Sequence, residues 1–212
     1  MTDRRPPLER LDDRPDWVIR ATDALARLVF RATTRVRLEG LDRLRGLEGP
    51  ILIVANHVSN ADAPLVGSFL IPALGRRIHW LGKQEALDWP ILGRIFARNA
   101  VIGVRRGEAD IEAFRAAKRV LDEGHVLCIF PEGTRSPTGA LQEAKEGTAI
   151  LALRTGARIL PVGVVGTSSV WPRGRALPRP GGRVGLRVGE PFTLGAVGTG
   201  SRQAPERRRV GL

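Results

Sequence analysis

Two hydrophobic periods alternate along the chain. From Trp17 to Ala32, apolar residues recur three and four positions apart (Trp17, Val18, Ala21, Ala24, Leu25, Leu28, Val29 and Ala32), which predicts an amphipathic helix. Pro15 suits its first turn, with Asp12 or Asp13 as the cap. Arg20, Arg27 and Arg31 fall among the polar positions, while Ile19, Ala26 and Phe30 widen the apolar face. Two placements stay open for such a helix: in a lipid interface, or packed on its own domain.

Beyond it, short apolar runs predict strands over 35–38, 51–55, 78–81, 101–104, 126–130, 159–165 and 183–188. Helical stretches fall between them near 63–74, 91–98, 108–123 and 143–154. The clearest, 108–123, places Ile111, Phe114, Ala117, Val120 and Leu121 on one face and stops at Gly124. The runs at 51–55 and 126–130 are apolar on both faces, as strands buried in the middle of a sheet must be. The expected fold is therefore a single α/β domain. A mostly buried, mixed or parallel sheet is flanked by helices and preceded by the amphipathic helix. Residues 1–14 read as a flexible arm, 15–33 as the helix, 34–194 as the main domain and 195–212 as a basic, flexible tail.

At 42% hydrophobic and 26% charged residues, the 212-residue composition excludes wholesale disorder. A single cysteine, Cys128, excludes a disulfide framework and a cysteine-based zinc site, and points to a reducing compartment. No metal site is expected: His79 stands alone, and His125 with Cys128 reads as strand packing. No run approaches the ~20 apolar residues of a membrane-spanning helix, and the first residues lack the apolar core of a secretory signal.

Charge changes the picture. The formal net charge is +12, and all but Lys83, Lys118 and Lys145 of the 34 basic residues are arginine. The planar guanidinium fork suits phosphates and carboxylates, so an anionic partner is expected: nucleic acid, a phospholipid surface or a phosphorylated substrate. The absence of tyrosine, the 5% aromatic content and the lack of a binding motif argue against specific nucleic acid recognition.

Three segments carry candidate chemistry. Asn56-His57-Val58-Ser59-Asn60-Ala61-Asp62 follows the buried strand 51–55, at the carboxyl end where open α/β sheets place their sites. If the chain turns between them, Asp62 fixes the tautomer of His57 and leaves its other nitrogen free as a general base. Phe130-Pro131-Glu132-Gly133-Thr134-Arg135-Ser136 follows the second buried strand. There Gly133 permits close approach of the backbone to a ligand and Arg135 offers a bidentate grip on phosphate. Glu132 cannot hold an anion and reads as pairing with an arginine or orienting the loop. The third segment ends the run 101–104 in Arg105-Arg106.

Together these blocks resemble the glycerolipid acyltransferase family typified by 1-acylglycerol-3-phosphate acyltransferase. The family's N-H-x-x-x-x-D block matches Asn56 to Asp62, and its F-P-E-G-T-R-S block is matched in full by Phe130 to Ser136. The arginine-ending block maps onto Arg106, although Ala100 and Gly103 stand where the family carries glycine and proline. Ile159-Leu160-Pro161-Val162-Gly163 matches a fourth, proline-containing strand.

The resemblance implies transfer of a fatty acyl chain from a thioester, of coenzyme A or of acyl carrier protein, to the free hydroxyl of a lysophospholipid. Lysophosphatidic acid, giving phosphatidic acid, is the default acceptor. His57 and Asp62 would be catalytic; Arg106, Glu132, Gly133, Thr134, Arg135 and Lys83 would bind substrate. No metal or redox cofactor is implied. The enzyme would sit at the cytoplasmic face of an anionic membrane, peripherally or monotopically. Another lysolipid acceptor, or an acyl thioesterase using the same His–Asp pair, stays open. A serine nucleophile has no support, since Val66-Gly67-Ser68-Phe69 lacks the glycine of a nucleophile elbow.

Overall fold

A computed structural model describes residues 13–90, 92–104, 109–172, 174–175 and 177–195. Apart from residues 13, 14 and 195, the expected arm and tail lie outside these.

The order of elements is α1 (Trp17–Thr33), β1 (Arg35–Glu39), a 3-10 turn (Leu41–Leu44), β2 (Ile51–Ala55), α2 (Asp62–Leu74), β3 (Ile78–Lys83), α3 (Gln84–Leu87), α4 (Leu92–Arg98), β4 (Val101–Val104), α5 (Ala109–Asp122), β5 (Val126–Ile129), α6 (Gly147–Thr155), β6 (Arg158–Val165), α7 (Thr167–Val170) and β7 (Arg183–Val188). The seven strands form one sheet in the order β1-β7-β6-β2-β5-β3-β4. All neighbours are parallel except β6 and β7. The two runs read as apolar on both faces, β2 and β5, sit side by side in the middle. Side chains alternate across β2: Ile51, Ile53 and Ala55 join the core under α1 and α2, while Leu52 joins the core under α5 and α6.

Boundaries shift where local chemistry competes. Asp16, rather than Asp12 or Asp13, caps α1, its carboxylate accepting the Ile19 N–H at 2.9 Å. Asp13 instead bonds Arg76 at 2.7 Å and His125 at 3.3 Å, clipping the approach to α1 under the sheet. Burial pushes the Asp13 carboxyl up, but the Arg76 hydrogen bond and charge outweigh it and hold the group below its usual value. Helix α6 begins at Gly147, not 143, because the preceding residues return to the sheet's end, where the Lys145 N–H donates to Pro131 at 2.9 Å. On α5, Ala117, Val120 and Leu121 are buried as expected, whereas Ile111 is exposed. Ala100 adopts a left-handed φ of 57°, unlike every other described non-glycine residue. The conformation costs alanine roughly 1–2 kcal/mol and shows why a glycine suits the start of this block.

The largest departure concerns which way α1 faces. The helix does pack on its own domain, but not through its apolar stripe. Trp17 is 74% and Leu28 65% exposed, and Leu25 and Val29 join them on the outside. Ile19 and Phe30 face the core, and between them the inward side is polar. Thr22 bonds Asn99 at 3.1 Å, and Arg27 donates to the Ser68 carbonyl at 3.1 Å.

Asp23 shares this inward side, with Oδ2 buried and lacking a hydrogen-bond partner. Burial pushes its carboxyl up to about 6, only partly offset by the Arg27 charge. The folded chain therefore binds this proton more tightly than the unfolded chain. The associated stability is full below pH ~4 and is lost as pH rises toward 6. Asp23→Asn is expected to raise unfolding stability at pH 7 by about 1 kcal/mol, since solvent screens this partly exposed carboxyl, and the gain fades as pH approaches 4. Urea melts of both proteins across this range check it; parallel curves at every pH would exclude Asp23 as the source.

Candidate active site

Because β2, β5 and β3 run parallel and adjacent, their carboxyl ends bring His57, the Phe130 turn and Lys83 to one edge of the sheet. At the end of β2 the side chain of Asn56 takes over from the main chain. It donates to the Val164 carbonyl at 2.8 Å and accepts the Val164 N–H at 2.7 Å, extending the contact with β6 by one residue. This frees the backbone to turn at His57. Asp62, the first residue of α2, folds back across the turn and is completely buried.

The Asp62 carboxylate organises that turn. Its Oδ2 accepts the N–H groups of Val58 and Ser59, each at 2.7 Å, and lies 2.8 Å from His57 Nδ1. An oxygen already receiving two N–H donors acts here only as an acceptor, so Nδ1 carries the proton and Nε2 keeps its lone pair. The imidazole stacks on Phe130 with centroids 4.1 Å apart and planes inclined at 18°. With the His57 side chain 21% exposed, a basic nitrogen is held in one orientation at an accessible edge. The other carboxylate oxygen, Oδ1, accepts the Thr167 hydroxyl at 2.5 Å.

Glu132 serves as a strut. Its two oxygens accept the His57 N–H at 2.8 Å and the Gln142 side chain at 3.0 Å, and it pairs with no arginine among the described residues. Of the two readings of this residue, pairing with an arginine or orienting the loop, these bonds correspond to the second. Ser136 donates its backbone N–H to the His57 carbonyl at 2.8 Å, so both motif turns are stitched together from each side. Gly133 takes a φ of 69°, and the Lys145 side chain crosses so close that a Cβ there would meet its Nζ at 3.0 Å. A larger residue would be strained in backbone and crowded by that chain.

Arg135 donates to the neutral Asn60 oxygen at 2.5 Å and has no carboxylate partner among the described residues. Lys83 and Lys145 likewise make no described ion pair, so three cationic side chains stand around the two turns with no salt bridge among the described residues. Lys83 is exposed at the end of β3, and Gly133 and Thr134 are exposed on their turn. Arg105 and Arg106 lie outside the described residues. Beside the turns opens a cleft of about 200 Å3, lined by Val58, Ser136, Thr138 and Ser168 among others. Sequence reasoning missed Thr167, Lys145 and Gln142; each reaches the site across a chain reversal that leaves no local periodicity.

Cys128 faces the core on β5, where burial pushes its thiol far up, so it supplies no thiolate nucleophile. Among the described residues no group of three or more His, Cys, Asp or Glu side chains has the arrangement of a metal site.

The model of the Acyltransferase family matches residues 35–165. The chain is 28% identical over 142 residues to the chloroplastic 1-acyl-sn-glycerol-3-phosphate acyltransferase LPAT1 of Arabidopsis thaliana, covering 66% of this chain and 38% of that protein. It is 34% identical over 142 residues to the lyso-ornithine lipid O-acyltransferase of Pseudomonas aeruginosa, covering 66% of this chain and 51% of that one. The chain thus spans between about two-fifths and half the length of these relatives. The crystal structure of the 1-acyl-sn-glycerophosphate acyltransferase PlsC from Thermotoga maritima superposes with a TM-score of 0.68 at 27% identity, over 82% of this chain and 68% of that one. The match over 35–165 contains the His57–Asp62 turn, the Phe130 turn and the central strands that carry them, and with that span the chain belongs to the Acyltransferase family.

Proposed function

We propose that the protein is an O-acyltransferase moving a fatty acyl chain from a thioester to the free hydroxyl of a lysophospholipid, foremost 1-acylglycerol-3-phosphate. The observation that carries this reading is the oriented His57–Asp62 pair beside Arg135, which makes no salt bridge among the described residues. Nε2 of His57 takes the acceptor's hydroxyl proton as that oxygen attacks the thioester carbonyl. The resulting imidazolium is held against the Asp62 carboxylate. Collapse of the tetrahedral intermediate breaks the C–S bond, and the imidazolium returns its proton to the departing thiolate. General-base help of this kind contributes about 10²–10⁴-fold, with positioning supplying the rest. Arg135, with Lys83 and the exposed Gly133-Thr134 turn, would hold the acceptor's phosphate; Arg106 is proposed for the same role from its place in the motif. The donor would be a thioester of coenzyme A or acyl carrier protein.

The purified protein, given acyl-coenzyme A and lysophosphatidic acid, should release free thiol only when acceptor is present and yield a lipid heavier by one acyl chain. Thiol release without acceptor would instead identify a thioesterase. The identity with the Pseudomonas relative favours lyso-ornithine lipid as the second acceptor for the same assay.

The outward stripe of α1 supports binding at an anionic membrane surface. No described helix is long and apolar enough to cross a membrane. Each apolar side chain newly buried contributes about 1.5–3 kcal/mol, and each basic residue near an anionic leaflet about 1 kcal/mol. Leu25→Glu with Leu28→Glu should therefore weaken co-sedimentation with phosphatidylglycerol vesicles at least about a hundredfold. Equal binding by the parent and double variant would exclude this face.

A further inference from the structure

We infer that Thr167 is a positioning residue for the His57–Asp62 pair, acting through the carboxylate oxygen that His57 does not touch. Asp62 is fully buried, and its described partners include no arginine or lysine. A buried carboxylate without a cation keeps its charge only through hydrogen-bond donors. Three of the four donors converge on Oδ2; on Oδ1 the Thr167 hydroxyl is the only described one. Thr167 is itself fully buried, and the contact joins residues 105 positions apart.

Local structure gives the hydroxyl no competing task. The cap of α7 is Gly166, and Thr167 follows it with its side chain turned across to α2 instead of onto its own helix. The backbone is fixed there as well. Gly166 has a φ of 77°, and a Cβ on it would lie 1.9 Å from the Arg183 carbonyl oxygen, so the turn leaving β6 is pressed against the start of β7. The next contact strengthens the same bridge, because Ser59 donates its hydroxyl to the Trp171 carbonyl at 2.6 Å. The segment after β6 thus grips the catalytic turn at both ends.

The donor has a signed chemical consequence. By stabilising the anionic carboxylate, the Thr167 O–H lowers the affinity of the pair for an additional proton. Without it the carboxylate becomes more basic, while the two N–H donors on Oδ2 still hold its position. The imidazolium is then retained to higher pH, and less of the enzyme carries the free base. The other charged groups described around the two turns are Glu132, on the His57 main-chain nitrogen, Arg135, on Asn60, Lys145, across Gly133, and Lys83, at the end of β3; none bonds the Asp62 carboxylate.

The test compares Thr167→Val, nearly isosteric but without the donor, with Thr167→Ser, which restores it. Nitrogen-15 NMR titration of the His57 imidazole in the full chain without substrate should show the midpoint raised by about one pH unit in Thr167→Val and unchanged in Thr167→Ser. In the acyl-transfer assay, Thr167→Val should lower kcat about tenfold and move the acid limb upward, with both KM values within about twofold of the parent. The kinetic half rests on the proposed acyltransferase activity. The titration needs no turnover, so failure of that activity and failure of this inference are separable. An unmoved or lowered midpoint in Thr167→Val overturns the inference, as does a Thr167→Ser that behaves like valine. Should the valine variant not fold, Thr167→Cys keeps the volume with a weaker donor, and a midpoint identical to the parent overturns it equally.

Discussion

Replacing His57 by alanine lowers kcat for acyl transfer by about three orders of magnitude and leaves the fold standing. The two halves of this result have separate causes. The activity is lost because Nε2 is the accessible base that the Asp62 carboxylate orients, and no described side chain duplicates it. The fold survives because the imidazole lies at an accessible edge, stacked on Phe130, while the main-chain bonds of the turn to Glu132, Ser136 and Asp62 do not use the ring. Circular dichroism and the coupled thiol and lipid-mass assay together check it. A folded variant retaining a tenth of parental activity would falsify the mechanism.

Asp62→Asn should cost about a hundredfold in kcat, and its pH profile should shift opposite to that of Thr167→Val. An asparagine fits with its oxygen at the Oδ2 position, still receiving the Val58, Ser59 and His57 donors, and its amide turned toward the Thr167 oxygen. Geometry and tautomer are then retained, and the negative charge is what disappears. The imidazolium loses its counter-charge and gives up its proton more readily, so the acid limb moves to lower pH. A limb that moves up, or a kcat within threefold of the parent, would show that the carboxylate's charge is not what His57 uses.

Sequence period revealed the central strands because β2 and β5 are covered on both sides, which requires apolar residues at successive positions and not only at every second one. It revealed the existence of α1 but not its direction. A 3.6-residue period shows that apolar groups share a face, not whether that face meets protein or solvent, and the inward contacts of Thr22 and Arg27 look like ordinary surface residues in the sequence. The expected cap of α1, Asp12 or Asp13, missed Asp16 because the tertiary bonds to Arg76 and His125 that claim Asp13 are invisible in the local sequence. In the site, His57 and Asp62 were legible because both belong to one short turn. The strut role of Glu132, 75 residues from His57, was visible only as one of two options, and the Thr167 contact left no trace.

The Asn56 clamp also bears on how portable this catalytic turn is. Seven consecutive residues spell the motif, yet its shape is imposed by Val164, Thr167 and Trp171 on one side and by Glu132 and Ser136 on the other. Grafted onto another parallel sheet, the heptapeptide would bring its base and its carboxylate but not the two chain segments that make them face each other. By the same reasoning, a homologue with an intact N-H-x-x-x-x-D and a deletion after β6 would keep the signature and lose the geometry. A match to the signature alone thus says nothing of the Val164, Thr167 and Trp171 contacts that close this turn, and the residues just beyond the fourth strand block are the ones to inspect beside it.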